Sequence, residues 1–286
     1  MNIYIYTKTG HNVGLDGLRR AAVLYKQLEQ VNCDPILCTS DYRAATFARD
    51  LDVTKGIGID IIGNLPNMME RSDMLIFESD EPSQTMRDFM SEYCTKLYEV
   101  GVDIPKVLVD DKFFEKKEGK TLDKCFFLSD DDYTDSLLKV LCKEESKQDI
   151  SCLMGHYFFL GNEDKLEPYF KEIIEEEEYD ETIMNTKYLL TGSSNAVFES
   201  LASGNCPVFY VREDKEDEDL ELIKQYNVPI IYGSKISEIV NSFEDIITNY
   251  PEVKKLEKVN TSKIINDIAE VIEKYKAIMP SLEANY

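Results

Sequence analysis

The sequence lacks a basic stripe, a membrane-length apolar run and a Cys-x-x-Cys pair, and each absence removes a class of function. Lys and Arg number 32 against 55 Asp and Glu, a formal charge of -23. A field of that sign repels a phosphate backbone, so nucleic acid is set aside as a partner. No apolar run reaches the length of a membrane span. The first residues alternate as a strand, Asn2 to Tyr6, instead of running from a basic to an apolar segment, so the expected location is the cytoplasm. The cysteines, at 33, 38, 94, 125, 142, 152 and 206, are odd in number and mostly inside apolar runs. That usage predicts buried reduced thiols instead of disulfides or zinc ligands.

Several signatures are missing as well. There is no G-x-x-x-x-G-K-[ST] and no H-E-x-x-H. The loop after the first strand, TKTGHNVGLDGLRR, carries Gly10, Gly14 and Gly17 without the G-x-G-x-x-G spacing, and no acid closes the following strand, DPILCTS. A nicotinamide cofactor is therefore not expected, and neither is a metal. Carboxylates at Glu78 to Asp80, Asp110-Asp111 and Asp130 to Asp132 each stand at a strand end. Helix capping accounts for them without an ion.

What is present is a chain of 286 residues, 43% hydrophobic, long enough for a substantial core. Strand and helix patterns alternate throughout, which predicts parallel sheets flanked by helices, an α/β architecture. In the first half, strands are expected near 2–6, 34–39, 57–62, 73–78, 105–109 and 125–128. A helix from Asp16 carries Leu18, Ala21, Ala22, Tyr25 and Leu28 on one face, and another begins at Pro82 with Met86, Phe89, Met90, Tyr93 and Leu97 inward. The polar stretch Cys142 to Asp149 reads as a linker, giving domains 1–145 and 146–286. In the second, the spacing predicts a strand at 150–154, a helix over 163–177, a strand at 188–191, a helix at 195–203, a strand at 207–211, an acidic helix, and a strand at 228–232. Two final helices follow, one capped by Ser234 and stopped by Pro251, the other opened by Thr261 or Ser262.

The most informative segment is Lys187 to Val211, KYLLTGSSNAVFESLASGNCPVFYV. An apolar run breaks at Gly192, hydroxyls follow at Ser193 and Ser194, and a short helix leads to a second apolar run. Two readings fit. In one, the glycine turn and the free N–H groups of the helix form an anion site, with Glu199 one turn on as an acceptor for a sugar or ribose diol. In the other, Ser194 merely caps the helix and Glu199 is solvated. The chain's two histidines echo one another, because Thr9-Gly10-His11 and Met154-Gly155-His156 each follow the first strand of their half. Ligands bind outside the carboxyl ends of parallel strands, so both fit one site, with His11 as a general base. A turn glycine and a histidine satisfying a carbonyl explain either equally well.

Taken together, strand-Gly-His, VLVDD and G-S-S-x-x-x-F-E-x-L-x-x-G-x-x-P resemble the GT-B superfamily of nucleotide-sugar enzymes. Within it the nearest likeness is to the UDP-sugar hydrolases of pseudaminic acid biosynthesis, relatives of the glycosyltransferase that completes lipid II. The resemblance implies two Rossmann-like domains facing a cleft, with a final helix crossing back. Only about a dozen residues separate Glu177 from Tyr188, where such proteins place a further βα unit, so the second domain is expected to be shortened. The implied ligand is a nucleotide-activated sugar of bacterial surface or flagellar glycan synthesis, processed by hydrolysis or glycosyl transfer. Gly192, Ser193 and Ser194 would meet the diphosphate and Glu199 the ribose. Asn195, Gly10, Gly155 and His156 complete the substrate-binding set around His11. The alternative is a non-catalytic scaffold, whose acidic runs Glu175 to Glu181 and Glu213 to Glu221 would dock a basic protein.

Overall fold

The structure is a computed structural model that describes residues 1–115, 121–132, 135–141, 146–158, 163–215 and 219–283. It divides into two compact units. Met1–Gly10, Gly17–Leu108 and Val259–Tyr286 form the first, and His11–Asp16 with Val109–Lys258 form the second.

The first unit is built on β1 (Ile3–Thr7), α1 (Asp16–Gln30), β2 (Pro35–Thr39), α2 (Tyr42–Phe47), β3 (Gly56–Gly58), β4 (Met74–Glu78), α3 (Gln84–Tyr93) and β5 (Lys96–Glu99). Its strands are all parallel in the order β3-β2-β1-β4-β5, and β1 aligns Ile3 with Pro35 on one side and Met74 on the other. Central strands of such a sheet are covered on both faces, and β1 is buried at every residue. The apolar residues expected on one face of α1, Leu18 through Leu28, are buried, and so are Arg19, Arg20, Val23 and Leu24 between them.

The second unit contains β6 (Leu122–Phe127), α4 (Ser136–Leu141), β7 (Ser151–Leu153), α5 (Glu163–Leu166), β8 (Ile173–Ile174), α6 (Tyr179–Asn185), β9 (Thr186–Thr191), α7 (Ser194–Ala202), β10 (Cys206–Tyr210), α8 (Leu220–Gln225), β11 (Ile230–Ile231) and α9 (Ile236–Thr248). Its strands run parallel in the order β11-β10-β9-β6-β7-β8. Phe126, Cys152, Leu190, Val208 and Phe243 meet in one core beside them.

Five expectations change. The strand near 125–128 belongs to the second sheet, because β6 pairs with β7 and β9, and the units part at Leu108/Val109 where 145/146 was expected. Residues 142–145 of the expected linker, Cys142 included, and 216–218 of the second acidic run lie outside the described residues. The helix begun near Pro82 stops at Tyr93, so Leu97 lies on β5, paired with Leu75, and Phe89 faces solvent. No helix spans 163–177: Pro168 cannot continue one and disfavours the helical region for the residue before it. The chain instead turns after Leu166 and enters β8. No strand forms at 105–109, where Ile104 makes only an isolated bridge to Val100.

Helix α10 (Ser262–Glu283) is part of the first unit. Ile265, Ile268 and Ile272 are buried, Thr261 Oγ1 donates to Gln27 at 2.6 Å, and Asp267 accepts from both Lys96 and the Tyr98 hydroxyl. No helix among the described residues is long and apolar enough to cross a membrane. The six described cysteines are free thiols, and burial pushes those of Cys38 and Cys125 up to about 12.

Candidate functional site

At the carboxyl end of β9 the chain makes the turn that the sequence singled out. Gly192 donates its N–H to the Leu128 carbonyl at 3.0 Å. A Cβ there would come within 2.6 Å of the same oxygen, so the glycine is required by chain packing. Ser193, not Ser194, is the N-cap of α7, its Oγ accepting from the Ala196 N–H at 3.1 Å. The Ser193 hydroxyl then donates to Asp16, lying 2.8 Å from Oδ1 and 2.9 Å from Oδ2, and the Asn195 N–H reaches Oδ2 at 3.2 Å. Ser194 donates to Asp219 at 2.7 Å. Backbone N–H groups at a helix start carry partial positive charge, and Asp16, the first residue of α1, sits against them.

Glu199 is turned inward and is 3% exposed. Its Oε2 accepts from the Tyr179 hydroxyl at 2.6 Å and its Oε1 from the Asn195 amide at 2.8 Å. The reading of Glu199 as a solvated carboxylate gives way to a buried, hydrogen-bonded one, because an unpaired charge there would be costly. Tyr179 is held in turn by an edge-on contact with Phe127, centroids 5.1 Å apart.

Around the histidines, the structure places His11 in an exposed loop, preceded by Gly10 at a φ of 132° that side chains rarely adopt. His156 is largely buried: its backbone N–H donates to Asp130 Oδ1 at 3.1 Å and its Nδ1 lies 3.2 Å from Glu176 Oε1. Gly155 packs against the backbone of Ser129 and Asp130.

The carboxylates at 130–132, expected as caps, include an ion-pair cluster whose cation the sequence did not point to. Arg212, after β10, donates to Asp131 at 2.5 Å and to Asp214 at 3.0 and 2.7 Å, and Lys215 also reaches Asp131 at 3.0 Å. Burial works to raise the Asp131 carboxyl, but the charges of Arg212 and Lys215 hold it below the ordinary range. Burial likewise opposes ionisation of Asp214, yet hydrogen bonds from Arg212 and Ser136 draw it down to about 2. Asp132 caps α4 by accepting from the Ser136 N–H at 2.6 Å, and burial outweighs those bonds to push it up to about 6.

The raised Asp132 carboxyl gives a pH prediction. The folded state holds this proton at a pH where the unfolded chain has released it, so stability falls as pH rises from about 4 to about 6 and is flat above. Asp132→Asn keeps an oxygen for the cap and removes the ionisation. It is expected to be more stable than wild type by roughly 3 kcal/mol at pH 8, the gap closing by about pH 4. Urea unfolding at the two pH values measures it, and an equal difference at both would refute the assignment.

No protein-family model matches the sequence, and no curated protein matches it. Solved structures do. The UDP-GlcNAc 2-epimerase of Methanocaldococcus jannaschii, in complex with UDP-GlcNAc and UDP, superposes with a TM-score of 0.55 at 12% identity, covering 96% of this chain and 100% of that one. The Neisseria meningitidis UDP-GlcNAc 2-epimerase, bound to UDP-GlcNAc, gives 0.51 at 11% with the same coverages. The glycosyltransferase SnogD from Streptomyces nogalater gives 0.50 at 13%, covering 86% of this chain and 90% of that one. At such identities the likeness is one of fold, and the fold, an α/β chain with two parallel-sheet domains, is GT-B.

Proposed function

We propose that the chain processes a UDP-linked sugar, by hydrolysis or glycosyl transfer, in cytoplasmic steps of bacterial surface or flagellar glycan synthesis. The observation that carries the reading is the start of α7, where a serine hydroxyl and a backbone N–H already hold an anion, the Asp16 carboxylate. Its oxygens stand in for those of a phosphate. The fold adds support, since the epimerases of the same fold were solved with UDP-GlcNAc bound. In this reading Gly192, Ser193, Ser194 and Asn195 meet the diphosphate, Glu199 meets the ribose once released from its internal partners, and Gly10, Gly155 and His156 border the sugar. His11, exposed on its loop, serves as general base toward water or an acceptor hydroxyl.

Calorimetry with UDP and UDP-GlcNAc is expected to show binding between about 1 μM and about 1 mM, weakened about tenfold by Ser194→Ala, the loss of roughly one hydrogen bond. Absence of heat at millimolar ligand defeats the proposal. Following the sugar nucleotide by NMR separates the reactions. Released UDP means hydrolysis or transfer, whereas inversion at carbon 2 would move the chain to the reaction named for its structural neighbours.

A second reading, a non-catalytic scaffold for a basic protein, draws on the charge of -23 and on the carboxylates that already engage both serines. It predicts a basic partner that copurifies without nucleotide and dissociates in salt.

A further inference from the structure

We propose that the first unit binds a basic amphipathic helix of another protein, in an apolar groove between α3 and the short 3₁₀ helix Ile62–Asn67. This goes beyond the nucleotide-sugar reading and does not depend on it.

Helix α3 is where sequence pattern and burial part company. Phe89 stands three residues after Met86 and four before Tyr93, so it belongs to the apolar stripe of the helix. Met86, Met90 and Tyr93 pack against the core beside β1 and β4. Yet none of the ten residues of α3 is buried, and Phe89 is 66% exposed. The helix rests on the sheet by one edge of its stripe and leaves the other edge uncovered. Arg87 fixes the direction of that edge, because it pairs with Glu99 of β5, and residues two apart on a helix point to nearly opposite sides. Phe89 therefore points away from β5, toward the segment 61–68.

Two contacts join that segment to α3. Ile61 Cδ1 and Met86 Cε lie 3.6 and 3.9 Å from where Gly63 would carry a Cβ, and the Tyr93 hydroxyl donates to the Met69 carbonyl at 2.6 Å. Ile61 and Met68, which flank the 3₁₀ helix, are 52% and 43% exposed. Single exposed apolar side chains are ordinary, but three along one seam with half-buried methionines make a binding surface. Methionine suits such a lining because it is flexible and polarisable.

Charge selects the occupant. Asp88 and Glu92 are exposed on the solvent side of α3, and Asp60 and Glu70 are exposed beside Ile61 and Met68, with Arg71 offsetting part of that charge. A second copy brings the same acids and a charge of -23, so it is repelled, as is an anionic membrane surface. A helix with apolar anchors on one face and Lys or Arg beside them matches both the seam and its acidic rims.

The test is fluorescence anisotropy of a labelled synthetic helix of about 18 residues, leucines on one face and lysines on the other, titrated with the whole chain. A peptide of the same composition, reordered so that the leucines share no face, is the control. Wild type is expected to bind the amphipathic peptide with a Kd of about 1 to 100 μM and the reordered one at least about tenfold more weakly. Phe89→Ser is expected to lose about tenfold and Ile61→Ser about threefold. Asp88→Asn with Glu92→Gln is expected to lose about threefold at low salt, a difference that shrinks near 0.5 M, roughly. Circular dichroism checks folding, and should Phe89→Ser not fold, Ile61→Ser decides. Equal binding of the two peptides overturns the inference, because the acidic surface then attracts lysine regardless of pattern. So does affinity that both apolar substitutions leave within about twofold, or no binding at about 1 mM. A wild-type dimer in sedimentation that Phe89→Ser dissolves also overturns it, since the occupant is then a second copy.

Discussion

Arg212→Met is expected to lower the stability of the chain by about 3 to 5 kcal/mol, the cost of leaving a buried charge without its partner. The Arg212 and Asp131 side chains are 6% and 3% exposed, and Arg212 bridges Asp131 to Asp214. A methionine fills much of the same space, so the loss is electrostatic and not a cavity. Lys215 still reaches Asp131, which places the effect toward the lower end of that range. The sign for Asp131 follows from linkage. Its carboxyl is held below the ordinary value in the folded chain, so it contributes stability above about pH 4 that disappears as pH falls through the folded value. Without Arg212 that contribution is lost, and the variant's deficit should shrink in acid, where Asp131 takes up a proton. Urea unfolding at pH 7 and below about pH 3 measures both. A second protein, Arg212→Met with Asp131→Asn, should recover part of the loss, since the stranded charge is then absent. A single variant within about 1 kcal/mol of wild type would mean that the cluster is solvated and that the burial argument fails.

That cluster also marks where sequence reading stops. Periodicity is a local property, and it gave the elements whose signal is local: the buried stripe of α1, the alternation of β1, and the strand-turn-helix-strand from Thr186 to Tyr210. Sheet membership is not local. The run containing Cys125 to Phe127 is equally apolar in either sheet, and only its pairing with Leu189 to Thr191 assigns it to the second. The strand β5 went unseen because Leu97 continues a helical spacing from Tyr93, although Cys94 already leaves the helix with an extended backbone. Pro168 was the available warning against a helix over 163–177, and it stands just where α5 has ended. At the site, the residue types at 192–199 were readable but their partners were not. Asp16 and Ser193 are 177 positions apart and Asp131 and Arg212 are 81 apart, distances over which a single sequence carries no pairing signal.

Gly155→Ala is expected to destabilise the chain by about 3 kcal/mol or more, at the upper end of what overpacking costs. An added Cβ would stand 2.1 Å from the Ser129 carbonyl oxygen and 2.9 Å from Asp130 Cα. Both are backbone atoms, so no side chain can swing aside. Relief requires β6 and the turn after β7 to separate, which strains the bonds from the His156 and Tyr157 N–H groups to Asp130. Gly204 supplies the contrast. It follows α7 with a φ of 71° and has nothing within 4 Å of an added Cβ, so Gly204→Ala costs only the left-handed backbone, about 1 kcal/mol. Thermal melting of the two variants without any ligand separates the possible roles of Gly155. A glycine kept so that a ligand can approach the backbone would leave the free protein as stable as wild type and weaken only binding. A glycine kept for the packing of two strand ends lowers the melting temperature of the free protein, and by more than Gly204→Ala does. The contact with Ser129 requires the second outcome, and a Gly155→Ala chain that melts with wild type would mean that the packing does not require a glycine here.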